Sequence, residues 1–107
     1  MRRRDYLGQF ELMVLLAVIS IGDDAYGVPI MQELEAASGR EVGIGSVYAA
    51  LQRLEEKSLV SSRIGDPTPE RGGRAKQYVQ VTGKGLKAAR EARRTFEKLW
   101  QLKGRTA

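Results

Sequence analysis

Neither cysteine nor histidine occurs in the 107 residues. Their absence removes disulfides, thiol nucleophiles, imidazole bases and the usual zinc ligand sets together. Ser, Asp, Glu, Lys and Tyr are available for chemistry, yet no pair of carboxylates and no phosphate-cradling glycine loop stands out. No enzymatic activity, metal or cofactor is therefore expected. A long hydrophobic run is also missing. The longest, Leu12 to Ile19, is broken by Ser20 and Gly22, well short of a membrane span. Three arginines precede it in the manner of a secretion signal, but Asp5 and Glu11 interrupt the pattern and no small-residue cleavage site follows. The expectation is a buried helix in a soluble, cytoplasmic protein of one domain.

Acidic residues are scarce in the second half of the chain. Residues 1–60 carry six basic and nine acidic side chains, a net of −3, whereas residues 61–107 carry twelve and four, a net of +8, which together give the formal +5. Such an asymmetry points to a polyanionic partner for the C-terminal half, with DNA, RNA and an acidic membrane surface all compatible.

What is present is organised around the stretch from Gly43 to Val60. Val47, Leu51 and Leu54 recur at the i, i+4, i+7 spacing of one helical face. Ser46, Tyr48, Ala49, Gln52 and Arg53 populate the other. Small and hydrogen-bonding groups at the N-terminal turn let a helix approach a phosphate backbone and a groove floor, which is what a recognition helix needs. Taken alone, the pattern also fits a surface helix whose Tyr48 folds back onto the core.

Before this helix, residues 1–6 form a basic arm, with Arg2, Arg3 and Arg4 either solvated or on phosphates. Leu7 to Ile21 reads as a helix apolar on two sides, Phe10, Met13, Val14, Ala17 and Ile21 on one, Leu12, Leu15, Leu16 and Ile19 on the other. A helix of that kind must be covered twice, and a second copy of the chain is the simplest second cover. A turn at Gly22-Asp23-Asp24 leads to a helix from about Tyr26 to Ser38, with Val28, Ile30, Met31, Leu34 and Ala37 expected inward and Pro29 tolerated in the first turn.

After the organising helix come two alternating runs, one placing Val60, Ser62 and Ile64 on a face, the other Ala75, Val79 and Val81. The Pro-, Gly- and Arg-rich loop Asp66 to Arg74 separates them. Three helices and a hairpin in this order make a winged helix-turn-helix, the loop being the wing. Arg71, Arg74 and Lys76 would follow a phosphate backbone or enter a minor groove, unless the tip is simply solvated. Thr82 caps a last helix running to about Lys103, with Leu86, Ala89, Ala92, Phe96 and Leu99 in steps of three and four. At roughly 30 Å it outruns the core behind it. Phe96, Leu99, Trp100 and Leu102 at its end argue for a partner helix over a solvated overhang. The fold class expected is mainly α with a small β-hairpin, a winged helix over 7–81 followed by a dimerisation helix over 82–107.

With these pieces in order, the sequence resembles the PadR family of bacterial transcriptional regulators. The likeness runs from Leu7 to about Trp100. It rests on Leu7-Gly8-Gln9-Phe10-Glu11-Leu12, on Tyr26-Gly27-Val28-Pro29-Ile30, on Gly45-Ser46-Val47-Tyr48-Ala49-Ala50-Leu51-Gln52-Arg53-Leu54-Glu55, and on Gly73-Arg74-Ala75-Lys76-Gln77-Tyr78 leading to Thr82-Gly83-Lys84-Gly85. The resemblance implies a homodimeric repressor of the family's compact branch. Its third helix would enter the major groove of double-stranded DNA, with Ser46 and Tyr48 on the backbone and the wing on flanking phosphates. The dimer would form through Phe10, Met13, Leu86, Ala89, Ala92, Phe96, Leu99 and Trp100. Some members bind small aromatic effectors at the dimer centre, for which Phe10, Phe96 and Trp100 are the candidates here, though such residues also serve as plain packing. Ile44 and Ala49 stand where proline is common, Ser58 where glycine is usual, and Val79 where tyrosine is frequent. A winged-helix module that docks on an acidic protein is the competing expectation, as is a small-molecule-binding dimer with vestigial DNA affinity.

Overall fold

The first helix, α1 (Gln9–Ile21), begins two residues later than its apolar pattern, because Gly8 is extended and serves as its N-cap. The computed structural model describes residues 7–65 and 76–103, with side chains through 101. The basic arm, the wing loop with Arg71, Arg74 and Ala75, and Leu102 as a side chain lie outside these described residues. Leu12, Val14, Leu15, Ala17 and Val18 of α1 are buried, and α1 forms the central rod of the core. On one apolar side Phe10 and Met13 pack partly buried against the core; on the other Leu12 and Leu15 are buried and Ile19 half-buried, while Leu16 remains 47% exposed.

A single 3-10 turn, Gly22–Asp24, connects α1 to α2 (Gly27–Ser38). Tyr26, expected as the first helical residue, is instead the extended N-cap of α2. The buried stripe of α2 is narrower than its apolar content, comprising Gly27, Ile30 and Leu34 with Met31 half-buried. Val28 and Ala37, expected inward, are exposed. Val28 stands about 200° around the helix from Ile30 at roughly 100° per residue. Ala37 falls in the final turn, where the chain already swings away through Gly39.

The third helix, α3 (Ile44–Glu56), packs against both α1 and α2 through Val47, Ala50, Leu51 and Leu54. The strands β1 (Val60–Ile64) and β2 (Gln77–Val81) pair antiparallel, with Val60 opposite Val81, Ser62 opposite Val79 and Ile64 opposite Gln77. The outer edge of β2 is stitched to the α1–α2 connection, the Val79 N–H donating to the Ala25 carbonyl at 2.8 Å. Alternation along β1 is as expected, but only Val60 is buried and Ile64 is 69% exposed, because the strand carries that face outward from the helices.

Thr82 leads into α4 (Gly83–Lys103) and caps it through its hydroxyl, which accepts the Gly85 N–H at 3.0 Å and donates to the Ser58 carbonyl at 2.7 Å. Gly85 packs so tightly on the turn between α3 and β1 that a Cβ built there would stand 2.1 Å from the Leu59 carbonyl oxygen. Only glycine permits that approach. Ala89 joins the core and Leu86 and Ala92 are half-buried, whereas Phe96, Leu99 and Trp100 are 56%, 57% and 71% exposed. The architecture is mainly helical with one two-stranded hairpin, as the sequence led one to expect.

Candidate nucleic-acid interface

The burial of Val47, Ala50, Leu51 and Leu54 turns the opposite side of α3 to solvent. Ser46, Tyr48, Ala49, Gln52 and Arg53 are all exposed. Gly43 caps the helix in extended conformation without a side-chain bond, and its carbonyl accepts the Ser46 and Val47 N–H groups at 3.1 and 3.2 Å. Tyr48 is not in the core, being 52% exposed. Its ring instead leans on the start of α2, where a Cβ on the buried Gly27 would lie 2.6 Å from the Tyr48 hydroxyl oxygen. The end of the Tyr48 ring thus occupies the space that a side chain at position 27 would take.

Arg53 is less free than its place on the outward face suggests. Its Nε donates to Glu11 Oε2 at 3.0 Å, and Lys57 Nζ donates to Glu11 Oε1 at 2.6 Å. The Glu11 side chain is only 13% exposed. Burial by itself pushes the Glu11 carboxyl up, but the hydrogen bonds and charges of Lys57 and Arg53 outweigh it and hold the group below the ordinary glutamate value. The pair binds α1 to the C-terminal half of α3, with Arg53 still half-exposed.

Between α3 and the hairpin runs a groove of about 280 Å³ lined by Tyr48, Leu51, Gln52, Glu55, Val60, Ser62, Gln77 and Val79. Ser62 Oγ donates to Glu55 Oε2 at 2.9 Å across it. On the other side of the sheet, Arg63, Tyr78, Tyr26 and Lys76 form a ladder. The Arg63 guanidinium lies 4.6 Å from the Tyr78 ring centre, Tyr78 meets Tyr26 edge-on at 5.6 Å, and Lys76 Nζ lies 4.6 Å from the Tyr26 ring centre. Lys76 Nζ also donates to the Tyr26 hydroxyl at 3.3 Å. Of the basic residues expected on the wing, Lys76 is the one within the described residues, and it sits where the strands give way to the loop, its carbonyl accepting the Gly65 N–H at 2.8 Å.

A second concavity, about 550 Å³ and almost wholly apolar, lies along the outer side of α4 and is lined by Leu12, Leu16, Ala89, Ala92, Arg93, Phe96, Glu97, Trp100 and Gln101. It unites Phe96 and Trp100 but not Phe10, which packs on the core together with Met13. Leu12 and Leu16 are the α1 residues turned toward the tail. Sequence reasoning placed both on the second apolar side of α1 without assigning them to the site. Tyr26, Tyr78 and Glu11 stood in the family signatures without an assigned contact and Arg63 was not singled out, since nothing local marks a residue whose partner is 40 or 50 positions away.

Among the described residues there is no group of three or more His, Cys, Asp or Glu suited to hold a metal. No described helix is long and apolar enough to cross a membrane.

Residues 15–91 match the family described as "Transcriptional regulator PadR-like family". Among solved structures, the chain is similar to a PadR-like transcription factor from Bacteroides fragilis, with 26% identity, TM-score 0.75 and coverage of 94% of this chain and 91% of that one. A PadR family transcriptional regulator from Eggerthella lenta DSM 2243 is 25% identical with TM-score 0.68, covering 87% and 79%. A PadR family transcription regulator from hypervirulent Clostridium difficile R20291, at 18% identity, shares the fold, with TM-score 0.73 and coverage of 92% and 97%. Comparison with curated proteins finds no match. With the winged-helix order, the outward face of α3 and a family match over most of its length, the chain belongs to the PadR-like family of transcriptional regulators.

Proposed function

We propose that the protein is a homodimeric, sequence-specific DNA-binding repressor whose third helix reads the major groove. The observation that carries this is the division of α3 into a fully buried apolar face and an exposed face of Ser46, Tyr48, Ala49 and Gln52, with Tyr48 propped by Gly27. A helix docked firmly on one side and lined with small and hydrogen-bonding groups on the other meets the steric demands of the groove. Residues 7–81 act as the reading head. Residues 82–107 act as the dimerisation helix, through Leu86, Ala89, Ala92, Phe96, Leu99 and Trp100 together with Leu12 and Leu16.

Two heads then engage half-sites about one helical turn, roughly 34 Å, apart on a two-fold symmetric operator. The apolar concavity beside Phe96 and Trp100 is the place for a small aromatic effector that releases DNA, and the cell compartment is the cytoplasm. Titration of a mixed-sequence duplex at several salt concentrations tests the reading. A log-log slope of several units, falling on loss of Arg53 and Lys76, supports it. A protein that binds no duplex at low salt while still capturing acidic peptides is a protein-interaction module instead.

A further inference from the structure

Resting on that DNA-binding reading, we propose that Tyr26 and Lys76 together form a clamp for a backbone phosphate, a contact where the strands give way to the wing loop, distinct from those of α3 and of the wing tip. Lys76 Nζ donates into the Tyr26 hydroxyl oxygen at 3.3 Å. The phenolic oxygen is thereby occupied as an acceptor, and its own proton is left to point outward as a donor. The remaining ammonium protons of Lys76, which is exposed, face the same solvent. Two donors side by side, one carrying a full positive charge, match two oxygens of one phosphodiester.

The position of the clamp follows from its neighbours. Tyr26 precedes Gly27, beside which the end of the Tyr48 ring lies, a Cβ built on Gly27 falling 2.6 Å from the Tyr48 hydroxyl oxygen.

The clamp is also held rigid. Tyr78 meets the Tyr26 ring edge-on, and Arg63 closes the stack, lying over Tyr78 while its guanidinium donates to the Asp23 carbonyl at 3.4 Å. Arg63 and Tyr78 are positioning residues: they hold Tyr26, and their cation–π and edge contacts keep it in place before the phosphate arrives.

Binding of a mixed-sequence duplex to the intact protein, across a salt series, separates the parts. Tyr26→Phe keeps the ring and its stacking but removes the hydroxyl; affinity is expected to fall about tenfold with an unchanged salt slope, as for one lost neutral donor to a charged acceptor. Lys76→Gln is expected to lower the slope by about one unit. The double variant should lose less than the product of the two, because both hold one phosphate. Full wild-type affinity in Tyr26→Phe, or exact multiplication of the two losses, overturns the clamp while leaving DNA binding intact. A wild-type protein that ignores duplex DNA at low salt overturns the DNA-binding reading and the clamp with it.

Discussion

Ser58 stands at φ +62°, in the left-handed region that a residue with a Cβ occupies at a cost of about 1 kcal/mol. It closes α3: the Ser58 N–H donates to the Glu55 carbonyl and the Leu59 N–H to the Leu54 carbonyl, both at 2.9 Å, the paired bonds of a Schellman ending. Its own carbonyl accepts the Thr82 hydroxyl, a backbone bond that survives loss of the side chain. Ser58→Gly should therefore raise stability by up to about 1 kcal/mol and the melting temperature by roughly 5 °C. A melting temperature equal to or below that of the parent in calorimetry would show that the turn is not strained. The family's usual glycine at this place was visible in the sequence as a departure; the backbone angle supplies its physical meaning.

At the scale of elements, the joints matter more than the helices themselves. Glu11 ties α1 to α3 through Arg53 and Lys57, and its carboxyl is held below the ordinary glutamate value. A lowered folded-state pKa means that the unfolded chain binds the proton more readily, so the stabilisation is complete above the ordinary glutamate value of about 4.3 and disappears as pH falls through the lower folded value. Glu11→Gln is expected to reduce stability at pH 7 by about 1 kcal/mol, the figure kept small because Arg53 is half-exposed, and to flatten the acid side of the stability profile. Urea titrations of both proteins between pH 3 and pH 7 check this, and parallel profiles would refute it. The second joint is Thr82, whose hydroxyl both caps α4 and holds the end of α3. Thr82→Ala should cost about 1 kcal/mol or somewhat more, with Thr82→Ser restoring most of it. Equal melting of the Ala and Ser variants would mean that the hydroxyl is irrelevant.

For the whole molecule, the open question is what covers the far end of α4. Phe96, Leu99 and Trp100 lie on an arm of a molecule 58 Å long, beside Leu12 and Leu16, with an apolar concavity between. Fully burying a large apolar side chain is favourable by roughly 1.5–3 kcal/mol, so covering these three on both chains is a substantial drive toward association. If the proposed dimer is right, Phe96→Ser with Trp100→Ser turns the protein into single chains at micromolar concentration. Duplex affinity then falls by orders of magnitude, because the second head loses its high effective concentration at the neighbouring half-site. Analytical ultracentrifugation gives the mass directly. A parent protein that sediments as one chain, or a double variant that still sediments as two, defeats the proposal.

Periodicity is a local property, and what depended on it was legible beforehand. The order of four helices and a hairpin, the buried and exposed faces of α3, the Thr82 cap and the reach of α4 beyond the core all follow from neighbours within a turn or two along the chain. Tertiary structure alone decided that Leu12 and Leu16 are the α1 side chains lining the concavity with Phe96 and Trp100, and that the Tyr48 ring leans on Gly27. It alone joined Arg53 to Glu11 across 42 positions and Lys76 to Tyr26 across 50. Such pairings are set by the angles at which helices and strands cross, and a crossing angle arises from packing the whole core at once, not from any one segment's spacing.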